Sequence, residues 1–179
     1  DFSSPDYLSE ILNTCVHQKL PLVIGTTGLN SNHHKLIGKA KKTIPILMGS
    51  NMSIGIATLK KSITNFLMSS QESFSCNLIE IHHTQKVDAP SGTAIEIMKF
   101  LEDLPGDKIQ MPISVNSHRI GRAFGTHRVE FYNSRETISF QHIAHSRDIF
   151  ASGAIAAAQW IISNPPGLYS FDDYLNKKL

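Results

Sequence analysis

The chain has 179 residues, of which 41% are apolar and 18% are charged, the balance of an ordinary globular protein. Its formal net charge is only +2 and lysine and arginine form no continuous run, which argues against a nucleic-acid-binding protein. Because no apolar run is long enough to span a bilayer and no signal peptide is visible, the sequence predicts a cytoplasmic protein without membrane partners. Cys15 and Cys76 lie far apart within apolar patterns, which predicts two buried thiols and disfavours a disulfide.

The N-terminal part of the chain alternates between helical and strand patterns. A Ser-Pro helix start at residues 4–5 is followed by apolar residues at helical spacing as far as Val16. Short apolar strands are predicted over residues 20–24 and 44–48, with a helix through residues 36–40 between them. This alternation predicts a parallel sheet with crossover helices.

Two loops follow the predicted parallel strands. They are Gly25-Thr26-Thr27-Gly28 after the first strand and Gly49-Ser50-Asn51-Met52 after the second. In parallel sheets of this kind, ligands bind beyond the carboxyl ends of the strands. Both loops are therefore candidate ligand-binding segments.

The pattern changes after Ile54. Two amphipathic helices are predicted, one from Ile56 to Leu67 and one that begins at Ser91. Strands are predicted over residues 77–82, 113–120, 127–132 and 137–144, the last two joined by a hairpin turn at 133–135. Such a run of strands beside helices predicts an α+β unit with an open sheet, either mixed or antiparallel. A final helix over residues 149–162, rich in small side chains, is expected to pack on the first sheet.

Residues with reactive side chains are concentrated in one stretch, 80–94, which reads EIHHTQKVDAPSGTA. Histidine titrates near neutral pH and lysine carries a mobile cation, so the pair can supply protons and hold an anion. Ser91, Gly92 and Thr93 add hydroxyls and amides at a helix start, where an anion is stabilised. Each part also has a structural interpretation, since histidines often serve only as hydrogen-bonding groups and Ser-Gly-Thr often serves only as a helix cap. The density of the cluster favours an active site.

This stretch resembles the signature of the dihydrodipicolinate reductases, also called 4-hydroxy-tetrahydrodipicolinate reductases. Other segments of the chain resemble the same family: residues 23–28, residues 49–55 with Met52 at a usually aromatic position, the spacing Arg119-x-Gly121-x-x-x-Gly125-x-His127, and residues 146–154. The resemblance extends from Asp1 to about Trp160.

The resemblance implies hydride transfer from NADPH or NADH to a small cyclic unsaturated imine dicarboxylate, a step in the diaminopimelate route of lysine biosynthesis. It assigns catalysis to His82 and Lys86. Substrate binding is expected at His83, Ser91, Gly92 and Thr93, and cofactor binding at Gly25, Thr26, Thr27, Gly49, Ser50, Asn51 and Met52. Arg147 is expected to tie the two domains together or to meet an anion, with a structural ion pair as the alternative.

The fold implied is α/β: a partial Rossmann-type parallel sheet plus an α+β substrate and tetramerisation domain with an open mixed sheet. The dinucleotide-binding domain would comprise residues 1–53 and 147–179, and residues 54–146 would form the domain that assembles a homotetramer. The family's glycine-rich strand–turn–helix does not occur in these residues. On that ground the 179 residues alone are expected to bind NADPH poorly and to show little turnover.

Two alternatives accompany this interpretation. A metal site would have to combine His82, His83, His127 and Asp88, but their spacing matches no zinc motif, so no metal is predicted. The stronger alternative is a truncated, catalytically silent homologue that acts as a dicarboxylate-binding or assembly module.

Overall fold

A computed structural model describes residues 1–176, which contain six α-helices and seven β-strands. After a 3-10 turn at Pro5–Tyr7, the elements in chain order are α1 (Leu8–Gln18), β1 (Leu22–Ile24), α2 (Ser31–Ala40), β2 (Pro45–Met48), α3 (Ile54–Ser69), β3 (Phe74–His82), α4 (Gly92–Glu102), β4 (Ile109–Arg119), β5 (Gly125–Tyr132), β6 (Thr137–Ala144), α5 (Asp148–Ile161), β7 (Gly167–Ser170) and α6 (Phe171–Asn176). Backbone contacts divide the chain into unit 1, Asp1–Ile54 plus the segment from Asp148 onward, and unit 2, Gly55–Arg147.

Unit 1 is built on a parallel sheet with the strand order β1-β2-β7. Alternate residues of its strands point to opposite faces, and both faces are buried. Ile24 and Ile46 pack with α1 and α2, whereas Val23 and Leu47 pack with α5 and α6. The predicted parallel sheet with crossover helices is therefore confirmed, as is the packing of the final long helix on it.

The C-terminal elements β7 and α6 were not predicted from the sequence. The strand β7 has only four residues, none of them fully buried, so its pattern carries almost no periodicity. It is ordered by pairing with β2, and α6 then buries Phe171 and Tyr174 in unit 1. The end of the first predicted domain, residues 177–179, lies outside the described residues.

Unit 2 contains a four-stranded sheet with the order β4-β3-β5-β6. The central strand β3 is parallel to β4 and antiparallel to β5, so the sheet is mixed. One face of the sheet packs against α3 and α4, with Leu78 and Phe131 among the fully buried side chains. The predicted hairpin turn joins β5 and β6, where the Asn133 side chain accepts hydrogen bonds from two backbone N–H groups.

The two cysteines differ in burial. Both are free thiols, and Cys76 is buried on β3, where burial raises its pKa to about 12. Cys15 is only partly buried on α1, so the prediction of two buried thiols is wrong for this residue. Cys15 packs at the edge of the apolar core that α1 and α2 form with β1 and β2.

Among residues 1–176, no helix is both long enough and apolar enough to cross a bilayer.

Candidate active site

The central strand β3 carries two polar residues on its buried face. Burial alternates along the strand, so Phe74, Cys76, Leu78, Glu80 and His82 all point inward. Glu80 is completely buried and His82 is 7% exposed. A carboxylate and an imidazole thus follow the apolar residues at the end of this face.

The Glu80 carboxylate is held by several donors. Its Oε1 accepts hydrogen bonds from the backbone N–H of Ser91, at 3.1 Å, and from Nη2 of Arg119, at 3.0 Å. Burial alone would raise the pKa of Glu80, but hydrogen bonds from Ser91, Ser117 and Arg119 outweigh it and lower the pKa to about 2. Glu80 is therefore ionised at neutral pH.

The imidazole of His82 faces this carboxylate. Its Nδ1 lies 2.9 Å from Oε2 of Glu80. Neither atom makes a hydrogen bond of normal geometry among the described residues, so the two form a close contact between a carboxylate and a ring nitrogen. Burial lowers the pKa of His82, although Glu80 acts in the opposite direction, and the cations Lys86 and Arg119 add to the lowering. The ring is therefore neutral at pH 7.

A second buried histidine, His127 on β5, lies beside the first. The two rings meet edge to face with centroids 5.2 Å apart. Burial, followed by the neighbouring His82, lowers the pKa of His127 to about 4. Its Nε2 lies 3.2 Å from the Ser91 hydroxyl, which also accepts the N–H of Ala94 at the start of α4. The predicted substrate contact Ser91 is thus buried and serves as the N-cap of that helix.

Lys86 lies in the loop that follows β3. Its Nζ contacts Oδ1 of Asp88 at 2.7 Å, and the hydrogen bond from Lys86 is the main cause of a lowered pKa at Asp88. Arg119 fixes the backbone of this loop, because its Nε donates to the carbonyl of Lys86 at 3.2 Å and its Nη2 donates to the carbonyl of Asp88. The structure therefore brings Lys86 and His82 into one network through Arg119 and Glu80.

His83 points away from that network, as adjacent strand residues do. It lines a cleft of about 550 Å³, whose other lining residues are Thr84, Gln85, Gly121, Arg122, Phe124 and Arg147. Arg122 and Arg147 make the cleft electropositive, which suits an anionic ligand. Arg147 is thus placed beside a candidate anion site within unit 2.

The first turn of α4 contains the other two predicted substrate contacts. Gly92 is exposed and Thr93 is half-buried, and both follow the Ser91 cap at the positive end of the helix dipole. Apart from the adjoining residues and the backbone of the helix itself, no atom lies within 4 Å of the position that a Cβ on Gly92 would take, so the approach to this backbone is open. The turn can accept a carboxylate.

The predicted cofactor loops lie at the carboxyl edge of the sheet in unit 1. Ile24 and Met48 are paired at the ends of β1 and β2, so the segments 25–27 and 49–52 are neighbours there. The ring of Phe2 covers Gly25 so closely that a Cβ would lie 2.0 Å from it. This edge follows parallel strands, and it is at such edges that dinucleotides bind in other parallel sheets.

Two side chains of these loops make their contacts within unit 1. The hydroxyl of Thr26 donates to the Asp1 carboxylate at 2.8 Å. Met52 is 2% exposed and packs in the core of unit 1, where its carbonyl oxygen lies against Gly153 of α5. A contact from Met52 to a cofactor would therefore have to come from its backbone.

Of the four residues considered for a metal site, only His82 and His127 lie together. With Glu80 they form a group of three whose ligand atoms lie within 4.8 Å of one another. His83 lines the cleft and Asp88 pairs with Lys86. Because Glu80 already pairs with Arg119, a cation here would meet a neighbouring positive charge, and the arrangement suits proton transfer better.

Glu80 and Arg119 belong to the site but were not predicted as site residues. A signal for Glu80 was present, since it shares the inward face of β3 with His82 at a spacing of two residues. Arg119 stood out only as the first residue of a spacing that resembles the family, with no role attached. It meets the site because β4 pairs with β3 in a register that sets Arg119 beside His82.

Almost all of the chain matches proteins of one family. Residues 1–52 match the sequence model of the dihydrodipicolinate reductase N-terminus, and residues 55–175 match that of the C-terminus. The 4-hydroxy-tetrahydrodipicolinate reductase of Bdellovibrio bacteriovorus is 38% identical over 98% of this chain and 74% of its own length. That of Campylobacter lari is 38% identical over 98% of this chain and 78% of its own length. A dipicolinate-bound dihydrodipicolinate reductase from Paenisporosarcina sp. TG-14 shares the fold, with a TM-score of 0.74, 22% identity and coverage of 95% of this chain and 70% of that one.

Proposed function

The chain belongs to the dihydrodipicolinate reductase family, and from that premise we propose that unit 2 binds and protonates the substrate while unit 1 binds the nucleotide. The chain is an oxidoreductase of lysine biosynthesis that uses a nicotinamide nucleotide to reduce 4-hydroxy-tetrahydrodipicolinate, a small-molecule substrate. The observation that carries the assignment of roles is the network of His82, Glu80, Arg119 and the Lys86 loop.

Reduction of a conjugated C=N group requires a proton as well as a hydride. When bound, the nicotinamide supplies the hydride, and the negative charge that develops on the substrate must be neutralised by a general acid. We assign this work to Lys86 and His82, where the His82 ring, neutral at rest, must first take up a proton from solvent before it donates it. The Lys86 ammonium is positioned by a loop that Arg119 holds, and the His82 ring is held on the end of a central strand.

The two carboxylates of the substrate require separate donors. We assign one carboxylate to the first turn of α4, where Gly92 and Thr93 offer backbone amides and a hydroxyl. We assign the other to the electropositive cleft that His83 lines. Ser91 supports the first of these sites by capping the helix.

The nucleotide is assigned to the loops Gly25–Thr27 and Gly49–Met52, through backbone groups that orient the nicotinamide. We propose NADPH or NADH as the cofactor. A comparison of kcat/KM with the two nucleotides decides the preference. Equal values would mean that the protein does not discriminate at the 2′-phosphate.

Assembly as a homotetramer is proposed for unit 2. Its sheet has β4 and β6 at the two edges, and Met111 and Ile143 on these strands are exposed apolar side chains. Unpaired edges with exposed apolar groups are usually covered by a partner, and a second copy of the chain fits that need. Light scattering should give the mass of a tetramer.

Localisation of the protein in the cytoplasm stays a prediction.

A catalytically silent homologue was the alternative, and no observation favours it. The test is nucleotide oxidation by protein expressed from its complete coding sequence, with 4-hydroxy-tetrahydrodipicolinate as substrate. We expect oxidation of the reduced nucleotide that depends on substrate. Binding of a dicarboxylate without any oxidation would support the silent homologue instead.

A further inference from the structure

The two oxygens of the buried Glu80 carboxylate have different partners, and neither oxygen has a part in the proton transfer proposed above. Oε1 is fully engaged, with Ser91 N–H at 3.1 Å and Arg119 Nη2 at 3.0 Å. Oε2 lies 2.9 Å from Nδ1 of His82, and the Ser117 side chain is a further hydrogen-bond partner of the carboxylate. The first two contacts fix the orientation of the carboxylate, and the third directs its remaining oxygen at the imidazole.

An ionised carboxylate can only accept hydrogen bonds. When it lies next to one nitrogen of a neutral imidazole, that nitrogen must carry the proton, and the other nitrogen is left without one. For His82 the proton is therefore placed on Nδ1, and Nε2 becomes the nitrogen that can take up and release a proton.

The surroundings of Nε2 agree with this assignment. A Cβ at position 125 would lie 3.0 Å from that nitrogen, but residue 125 is glycine. The side of the ring that faces β5 is therefore not crowded by a side chain at this position, whereas the Nδ1 side is closed by Glu80.

We propose that Glu80 is a positioning residue, whose carboxylate fixes the His82 proton on Nδ1 so that Nε2 is the atom that exchanges a proton during catalysis. This rests on the proposed role of His82. Arg119 and Ser91 keep Glu80 itself in place. A residue that orients a histidine in this way affects turnover through the ring's tautomer and not through substrate contact.

The test is Glu80→Gln, followed by NMR of the His82 ring nitrogens and by steady-state kinetics. The Gln carbonyl can keep the bonds from Ser91 and Arg119, but its NH₂ then faces Nδ1 and requires that nitrogen to be unprotonated. We expect the wild-type ring to carry its proton on Nδ1 and the variant ring to carry it on Nε2. The value of kcat should fall by about 10²–10⁴-fold, with KM within a few-fold of wild type.

Glu96→Gln is the matched control, because it removes the same charge from an ion pair with Lys60 in the same unit. It should leave both the His82 tautomer and kcat unchanged. A Glu80→Gln protein that keeps the Nδ1–H tautomer and wild-type kcat would overturn the proposal, even if its melting temperature is lowered.

The wild-type spectrum provides a test that does not depend on the variant folding. If His82 carries its proton on Nε2 at neutral pH, the proposal is wrong. His82→Gln separates the role of His82 in the reaction from the contact that Glu80 makes with it. Unchanged kcat in that variant would refute the proposed role of His82 in the reaction and with it the catalytic consequence of Glu80, whereas the tautomer measurement would still report on the Glu80 contact.

Discussion

The Ser91 hydroxyl and the Nε2 atom of His127 lie 3.2 Å apart in the interior of unit 2, so the start of α4 is tied directly to β5. The same hydroxyl accepts the N–H of Ala94. Ser91 is 2% exposed, and its polar groups are thus used within the protein. The exposed backbone of Gly92, which follows the cap, is therefore a better candidate for contact with a ligand than Ser91 is.

Replacing Ser91 should therefore cost stability. In Ser91→Ala the cap is lost and His127 loses a partner, and we expect the free energy of unfolding to fall by about 1–2 kcal/mol. Urea unfolding measures this. Ser69→Ala is the control, since its exposed hydroxyl bonds only a carbonyl near the end of α3 and should change the free energy by less than about 0.5 kcal/mol. Equal effects of the two substitutions would contradict the role of the cap.

Thr93→Val should weaken binding of a dicarboxylate while the fold is kept. Loss of one hydroxyl contact corresponds to roughly 1–2 kcal/mol. Calorimetric titration with pyridine-2,6-dicarboxylate measures the change in affinity. Thr64→Val, which removes a hydroxyl bonded to a carbonyl within α3, should bind as wild type does. If folded wild-type protein shows no heat of binding, the assignment of a dicarboxylate site fails.

Stability should decrease in acid because of His127. Its pKa is lowered from 6.5 to about 4 in the folded protein, so the unfolded chain binds a proton more readily. The stabilisation is complete above pH 6.5 and is lost as the pH falls toward 4, by on the order of 3 kcal/mol for this buried group. Glu80, with a pKa lowered from 4.5 to about 2, adds a further loss below pH 4.5.

The measurement for this pH effect is urea unfolding of wild type and His127→Gln at pH 7 and pH 5. Gln keeps a hydrogen-bonding group near Ser91 but does not titrate. We expect the difference between the two pH values to be smaller in the variant. An identical pH dependence in both proteins would show that other groups account for the acid sensitivity.

Two helical glycines should differ in how substitution by alanine changes the stability of the protein. A Cβ at Gly153 of α5 would lie 1.7 Å from the carbonyl oxygen of Met52, which is backbone and cannot easily move. Gly153→Ala should therefore destabilise the protein by about 1–3 kcal/mol. At Gly38 of α2 nothing lies within 4 Å, so Gly38→Ala should be neutral or stabilise by up to about 1 kcal/mol. Thermal unfolding of both variants checks this, and destabilisation of the same size at both positions would contradict it.

The sequence predicted the features that depend on local pattern. The helix after Ser91 was predictable from its cap and apolar spacing, and the parallel strands β1 and β2 from their apolar runs between helices. The ion pair of Glu80 with Arg119 was not predictable, because it depends on how β4 aligns with β3 across 39 residues of chain. The short strand β7 was missed for the same reason, since pairing with β2 and not its own pattern orders it.

Protonation by Lys86 and His82 is the central claim, and the kcat of Lys86→Ala tests it most directly. Enzyme from the complete coding sequence should lose about 10²–10⁴-fold in kcat, the usual contribution of a positioned acid, and His82→Gln should fall in the same range or be somewhat milder. Lys60→Ala, which removes a lysine paired with Glu96 on the helices of the same unit, should retain wild-type turnover. A wild-type kcat in both Lys86→Ala and His82→Gln would contradict the account.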